Sequence, residues 1–205
     1  MDAAPHRPYL MSFGAGGLFV NESVAVARLH HARENWDLTA ARAFEAGAFP
    51  VRKASSARRT IREIVNRLKW LSDDELELLI EGERSEQETL LWLAVCRAYR
   101  FIGEFAVEVV NERFLSLRTH ITYDDFDSFY AAKEEWSSKL AGLSKSTRAK
   151  LRAVLFRLMR EAEIISKDGR ILGAMLSARV AAMINAGNPD EFRFFPGGSR
   201  RMGES

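Results

Sequence analysis

The chain has 205 residues, 47% of them apolar and 10% aromatic, with one cysteine and a formal net charge of +2. This composition excludes a disordered chain and a disulfide-stapled scaffold, and the length suffices for a substantial core in one or two domains. The small net charge conceals blocks: residues 52–69 carry seven basic side chains and one acid, 73–88 eight acids and one arginine, and 139–160 seven basic side chains and no acid. Two basic blocks flanking an acidic one suggest contact with a polyanion at two places.

Residues 1–10 read as a tail without the apolar core of a signal peptide, which, together with the lone Cys96, points to a cytoplasmic protein. In the following SFGAGG stretch, Gly14, Gly16 and Gly17 have neither the spacing of a dinucleotide fingerprint nor the lysine of a P-loop, so a flexible turn is predicted. A helix over 22–34 follows, with Val24, Ala27 and Leu29 inward. His30 and His31 near its end would point about 100° apart on a helix and make a poor metal pair. A second helix over 38–46 is ended by Gly47 and Pro50.

The third helix starts at a Ser55 or Ser56 cap and runs to about residue 71, preceded by Arg52 and Lys53. Ile61, Ile64, Val65, Leu68 and Leu71 form its inner stripe, while Arg58, Arg59, Arg62 and Lys69 face outward. Ser72 and Glu75 make a capping box that opens a fourth helix, closed by Gly82. A second capping box, Ser85 with Glu88, opens the stretch 86–115, predicted as one continuous helix about 45 Å long at the centre of a bundle. Arg97, Arg100, Glu104 and Glu108 share one stripe of that helix, and Phe101 and Phe105 lie on its apolar surface. Cys96 reads as a small buried hydrophobe, and Gly103 as a point where another helix crosses closely. The uncharged run before Arg97 is shorter than the roughly 20 residues of a membrane span.

The predicted domain boundary falls after residue 118, dividing an N-terminal helical domain (11–118) from a C-terminal one (119–196), with a polar tail at 197–205. An amphipathic helix over 123–136 presents Phe126, Phe129, Tyr130 and Trp136 on its apolar face. A short helix at 138–141 precedes a basic helix over 144–163, with Leu151, Val154, Leu155 and Leu158 inward. Lys145, Arg148 and Arg152 line its outer face, and Lys150 joins them as a candidate contact. A hairpin turning at Asp168-Gly169 and a helix over 175–185 complete the chain. Helix, short helix, basic helix and hairpin is the order of a winged helix-turn-helix, whose last helix enters a groove while the wing, here with Lys167 and Arg170, touches the backbone. The N-terminal part, with two helices before a basic third, allows a helix-turn-helix without a wing. Shifted by 90 residues, Ser56, Arg58, Arg62 and Arg67 fall on Ser146, Arg148, Arg152 and Arg157, a pattern consistent with duplication.

The phrases MSFGAGGLF, SSARRTIREIVNRLKWLSDDELELLIEG, LLWLAVCRAYRFIGEFAVEVV, YDDFDSFYAAKEEW and TRAKLRAVLFRLMREAEIISKDGRI, in that order, resemble the BrxA family of BREX phage-exclusion systems. The likeness runs over about residues 11–196. It implies a small, mostly helical, non-catalytic component of a bacterial anti-phage system that binds nucleic acid, with a NusB-like character. No family motif identifies individual contact residues.

The residues and the resemblance together predict a mainly α protein: a helical bundle around a long central helix, helix-turn-helix-like at its N-terminal part and winged-helix-like at its C-terminal part. The expected activity is binding of duplex DNA phosphates, without catalysis, metal, cofactor, membrane or small-molecule substrate, alongside other BREX proteins. Arg148 and Arg152 are the favoured contacts, because Arg58 and Arg62 have Glu63 and the acids from Asp73 close behind them. An RNA-binding, antitermination-like factor is one alternative; an assembly scaffold docking through the acidic 73–88 segment is another.

Overall fold

Apolar residues at helical spacing, interrupted by capping serines and glycines, divide the chain into a run of short helices. The computed structural model describes residues 8–14, 16–47 and 54–198, so Arg52 and Lys53 of the first basic block lie outside the described residues. The helices are α1 (Val20–Arg28), α2 (Trp36–Glu45), α3 (Ala54–Leu68), α4 (Asp73–Glu81), α5 (Arg84–Ala98), α6 (Arg100–Phe105), α7 (Glu112–Leu115), α8 (Tyr123–Glu134), α9 (Ser138–Ala141), α10 (Lys145–Glu161) and α11 (Ala178–Gly187). A π-helical segment, Ala106–Asn111, joins α6 to α7, and a 3-10 helix, Pro189–Phe194, follows α11. Extended structure among the described residues consists of isolated antiparallel bridges, His120 with Arg170 and Ile165 with Ile171. No helix among them is long and apolar enough to cross a membrane.

The core surrounds α5. Leu90, Leu91, Trp92, Leu93 and Val95 are all buried, and α5 packs against α1, α3, α4, α10 and α11. Cys96 lies in this core, where burial pushes its thiol well up from the ordinary value. The predicted capping box Ser72–Glu75 opens α4. At the start of α5 the box is Glu83 with Glu86, two residues before the expected Ser85–Glu88, and Glu88 instead pairs with Arg84 at 2.6 Å.

The continuous helix expected over 86–115 is broken. Tyr99 adopts an extended conformation (φ −120°, ψ 91°) between α5 and α6. Its phenol donates to the Glu63 carboxylate on α3 at 2.6 Å, and its carbonyl restarts the helix by accepting from Ile102 and Gly103. The break splits the predicted stripe of four charges. Arg97 reaches Glu75 of α4 (2.6 Å) and Glu191 of the 3-10 helix (2.7 Å), whereas Arg100 pairs with Glu104 one turn on. Gly103 marks a close approach, as expected, but the neighbours are the Cys96 carbonyl and the Phe194 ring: a β-carbon there would sit 3.0 Å and 3.2 Å from them.

Beyond the break, Phe101 meets Phe126 and Phe129 of α8 edge-on, and Phe105 meets Phe129 edge-on and Phe126 at a tilt, so residues on both sides of position 118 share one aromatic cluster. Tyr9, assigned by sequence to the N-terminal tail, is buried against Phe101 and donates to Glu104 at 2.6 Å. Trp136, expected on the apolar face of α8, is 88% exposed, because α8 ends at Glu134 and the chain turns before the indole could point inward.

Candidate nucleic-acid interface

The acidic and basic blocks meet different fates on folding. In α3 the inner stripe includes Ile61, Ile64 and Leu68, but also two charges: Glu63 and Arg67 are both buried. Arg67 donates to Glu63 through Nε (3.0 Å) and Nη2 (2.8 Å), and its Nη1 donates to the Gly17 carbonyl at 2.7 Å. Sequence reading counted Arg67 only as one of the repeated basic positions. Its i,i+4 spacing from Glu63 was the available signal. The outward Arg58, Arg59, Arg62 and Lys69 are exposed, as the periodicity predicts. Arg58 lies over the Phe44 ring of α2 at 4.5 Å, while Arg59 and Arg62 have no acidic partner among the described residues.

The second basic helix departs from the sequence expectation. Arg148 and Arg152, assigned to an outer face of α10, are half-buried against α8. Arg148 donates to the Asp127 carbonyl at 2.9 Å and lies over the Tyr130 ring at 4.2 Å. Arg152 pairs with the Asp127 carboxylate and lies over the Tyr123 ring at 4.5 Å. The reason is a contact the periodicity of α10 could not reveal: an aspartate and two aromatic rings on α8 form a seat for both guanidinium groups. The exposed face of α10 therefore carries Lys145, Lys150 and Arg157. Lys145 and Lys150 have no acidic partner among the described residues, and Arg157 pairs with Glu161 at 2.6 Å.

The two helices approach each other beside the glycine-rich turn. A β-carbon built on Gly14 would lie 3.8 Å from Nη2 of Arg59 and 3.8 Å from Cε of Lys150. One on Gly16 would lie 4.0 Å from Arg157. Beside Gly17 a cleft of about 510 Å³ opens, its lining including Arg84, Arg157, Arg160 and Glu161. Lys167 and Arg170, expected on a wing, are exposed on a turn in which the Gly169 amide donates to the Ser166 carbonyl at 3.1 Å. Gly169 is needed there: its φ is +86°, and a β-carbon would come within 2.7 Å of the Ile121 carbonyl. Of the positions matched by the 90-residue shift, Arg58 and Arg148 each cover an aromatic ring, but Arg67 is buried where Arg157 is exposed.

The acidic block is partly consumed by structure. Glu75 holds Arg97, and Glu86 accepts from Ser177 (2.7 Å) and Arg179 (2.6 Å) at the start of α11. Among the described residues no group of three or more His, Cys, Asp or Glu could hold a metal ion. His30 stacks face to face on Trp36 at 3.7 Å, and the Nδ1 side of its ring meets the Thr39 hydroxyl at 2.8 Å.

The class so defined is a mainly helical protein in which, among the described residues, exposed cations without acidic partners stand on both α3 and α10 beside a glycine turn. The chain belongs to the BrxA family, which it matches over residues 7–188. It is 27% identical over 121 residues to the BREX protein BrxA of Bacillus cereus (strain H3081.97), an alignment covering 59% of this chain and 60% of that relative. Its fold is similar to that of an uncharacterized protein from Magnetospirillum magneticum, solved as a crystal structure, with a TM-score of 0.75 and 20% identity over 90% of this chain and 96% of that one.

Proposed function

We propose that this protein is a non-catalytic DNA-binding accessory component of a BREX anti-phage system. The observation that carries the reading is a set of exposed cations without acidic partners among the described residues: Arg59 and Arg62 on α3, Lys145 and Lys150 on α10. Exposed basic side chains that lack intramolecular acids are free to neutralise phosphates, and each phosphate so neutralised releases condensed counterions. The order α8, α9, α10 and bridged hairpin supports a winged-helix mode of docking, in which α10 approaches the groove by its N-terminal end and Lys167 and Arg170 touch the backbone. The sequence-favoured pair, Arg148 and Arg152, is assigned a different task, that of fastening α10 to α8. Asp73, Asp74, Glu77 and Glu81 are exposed on α4 and form an acidic face suited to another protein of the system.

The test is competition binding to duplex DNA, single-stranded DNA and RNA across a salt series. Duplex affinity is expected to fall with a slope of about −0.9 per phosphate contact. Replacing Lys145 and Lys150 together with alanine should flatten that slope by roughly 2 units, as should replacing Arg59 and Arg62. Replacing Arg148 and Arg152 should leave the slope unchanged and lower the melting temperature, since each loses a cation–π contact worth about 1 kcal/mol. A flattened slope from the Arg148 and Arg152 pair alone would reverse this assignment.

A second reading, RNA or another unpaired strand as the partner, is favoured by one side chain. Trp136 offers the exposed ring on which an unpaired base can stack. Under that reading Trp136→Ala should weaken single-strand binding about tenfold, at roughly 1–3 kcal/mol per stacked base, and leave duplex binding unchanged. Equal affinities of wild type and variant for single strands remove the reading.

A further inference from the structure

We propose that Gly14, Arg59 and Lys150 form an oxyanion cradle that seats one phosphate, a backbone phosphate of the nucleic acid under the function given above, on which this inference rests. Three segments distant in sequence meet here. Nη2 of Arg59 and Cε of Lys150, the carbon that carries its ammonium, each lie 3.8 Å from the β-carbon position of Gly14, so at most twice that distance separates these two atoms. Two cations brought to one turn repel each other, an anion bound between them removes that repulsion, and neither of these exposed side chains has an acidic partner among the described residues. The pairing of a guanidinium fork with a compact ammonium suits a phosphate, whose oxygens accept from each at about 2.8 Å.

Gly14 supplies the room. Its backbone does not occupy the left-handed region, so its conformation does not call for glycine, and a β-carbon there would meet no non-adjacent atom of the described residues nearer than 3.8 Å. Gly16, by contrast, has φ +111° and holds the bend of the turn. The turn is fastened from beneath: Arg67 donates to the Gly17 carbonyl, and the Leu18 amide donates to Oε2 of Glu161 at 2.5 Å. The other oxygen of Glu161 accepts from Arg157 at 2.6 Å, so this neighbouring carboxylate is already engaged on both sides. The C-terminal side of the turn is thus held in place before anything binds, which lowers the ordering that binding requires there.

The substitution that tests it is Gly14→Asp, which puts a carboxylate where the phosphate would sit. In thermal melts of the full chain at constant ionic strength, inorganic phosphate in place of chloride should raise the melting temperature of wild type by the linkage expected for one bound anion. Gly14→Asp should melt higher than wild type in chloride, because its own carboxylate relieves the repulsion, and should gain nothing from phosphate. Arg59→Ala and Lys150→Ala should also lose the gain. Gly14→Asp should bind duplex DNA about tenfold more weakly, with a salt slope flatter by about 1 unit. An equal phosphate effect in all four proteins, or a Gly14→Asp variant that melts lower than wild type in chloride, overturns the cradle. If Gly14→Asp binds duplex as wild type does while Arg62→Ala with Lys145→Ala does not, the nucleic-acid reading stands and the cradle fails as its phosphate seat. Loss of the phosphate gain in Gly14→Asp with unchanged duplex binding in every variant leaves a site for free phosphate only, and overturns the assignment to nucleic acid.

Discussion

Phe101→Ala is expected to lower folding stability by about 3–5 kcal/mol, the range for truncating a fully buried phenylalanine. Phe101 has no solvent exposure, and its ring meets those of Tyr9 (5.7 Å), Phe126 (5.7 Å), Phe129 (5.1 Å) and Tyr130 (5.9 Å). These rings come from the N-terminal segment and from α8, which cannot collapse together into the vacated space without moving α8. Since α8 also carries Asp127, the seat of Arg148 and Arg152, the loss propagates to the position of α10. Chemical denaturation should give the full cost for Phe101→Ala and a change within about 0.5 kcal/mol for Leu117→Ala, which is 80% exposed. A loss below about 1 kcal/mol for Phe101→Ala would contradict the packing of α6 on α8.

The second large effect belongs to the buried pair in α3. Arg67→Met leaves the Glu63 carboxylate in the core without its countercharge, and removal of one member of such a pair costs about 3–5 kcal/mol. Arg67 is 1% exposed, and it ties Glu63 to the Gly17 carbonyl. Replacing both, Glu63→Leu with Arg67→Met, should recover part of the loss, because no lone charge remains. The recovery should be incomplete, since the Tyr99 phenol and the Gly17 carbonyl lose their partners. Melts in denaturant across the three proteins decide it: a single variant as stable as wild type would show that the pair is not held in the core.

The same network carries a pH dependence. Burial first, and then the charge of Glu63, push the Tyr99 phenol up to about 12 from an ordinary 10.0. Above pH 10.0 the unfolded chain releases this proton before the folded one does, so stability is retained below that pH and declines as pH rises toward about 12. Tyr99→Phe should remove its share of the decline.

The features legible in the residue pattern were those that depend on neighbours three or four positions away. Alternation of apolar and charged side chains identified the inner face of α3, the burial of Phe101 and Phe105, the Ser72–Glu75 capping box and the short helix Ser138–Ala141. The break at Tyr99 was not legible, because the residue is neither glycine nor proline and the α-helix yields there to a hydrogen bond with Glu63, 36 positions earlier. The solvent exposure of Trp136 likewise depends on where α8 stops, which its apolar spacing alone does not say.

By itself, then, the sequence determined that the protein is mainly helical, which faces of its helices are apolar, and that its basic residues fall in two blocks. Only the tertiary structure decided which cations, inside those blocks and outside them, are spent on folding. Arg97 is claimed by Glu75 and Glu191, Arg67 by Glu63, and Arg148 and Arg152 by Asp127, while Arg59 and Lys150 both reach the turn at Gly14. The physical reason is range. Helical periodicity is set by bonds between residues one turn apart, so it is written along the chain. A charge in a folded protein pairs with whatever the packing of other helices brings near it, and for Arg97 and Glu191 that partner lies 94 residues away.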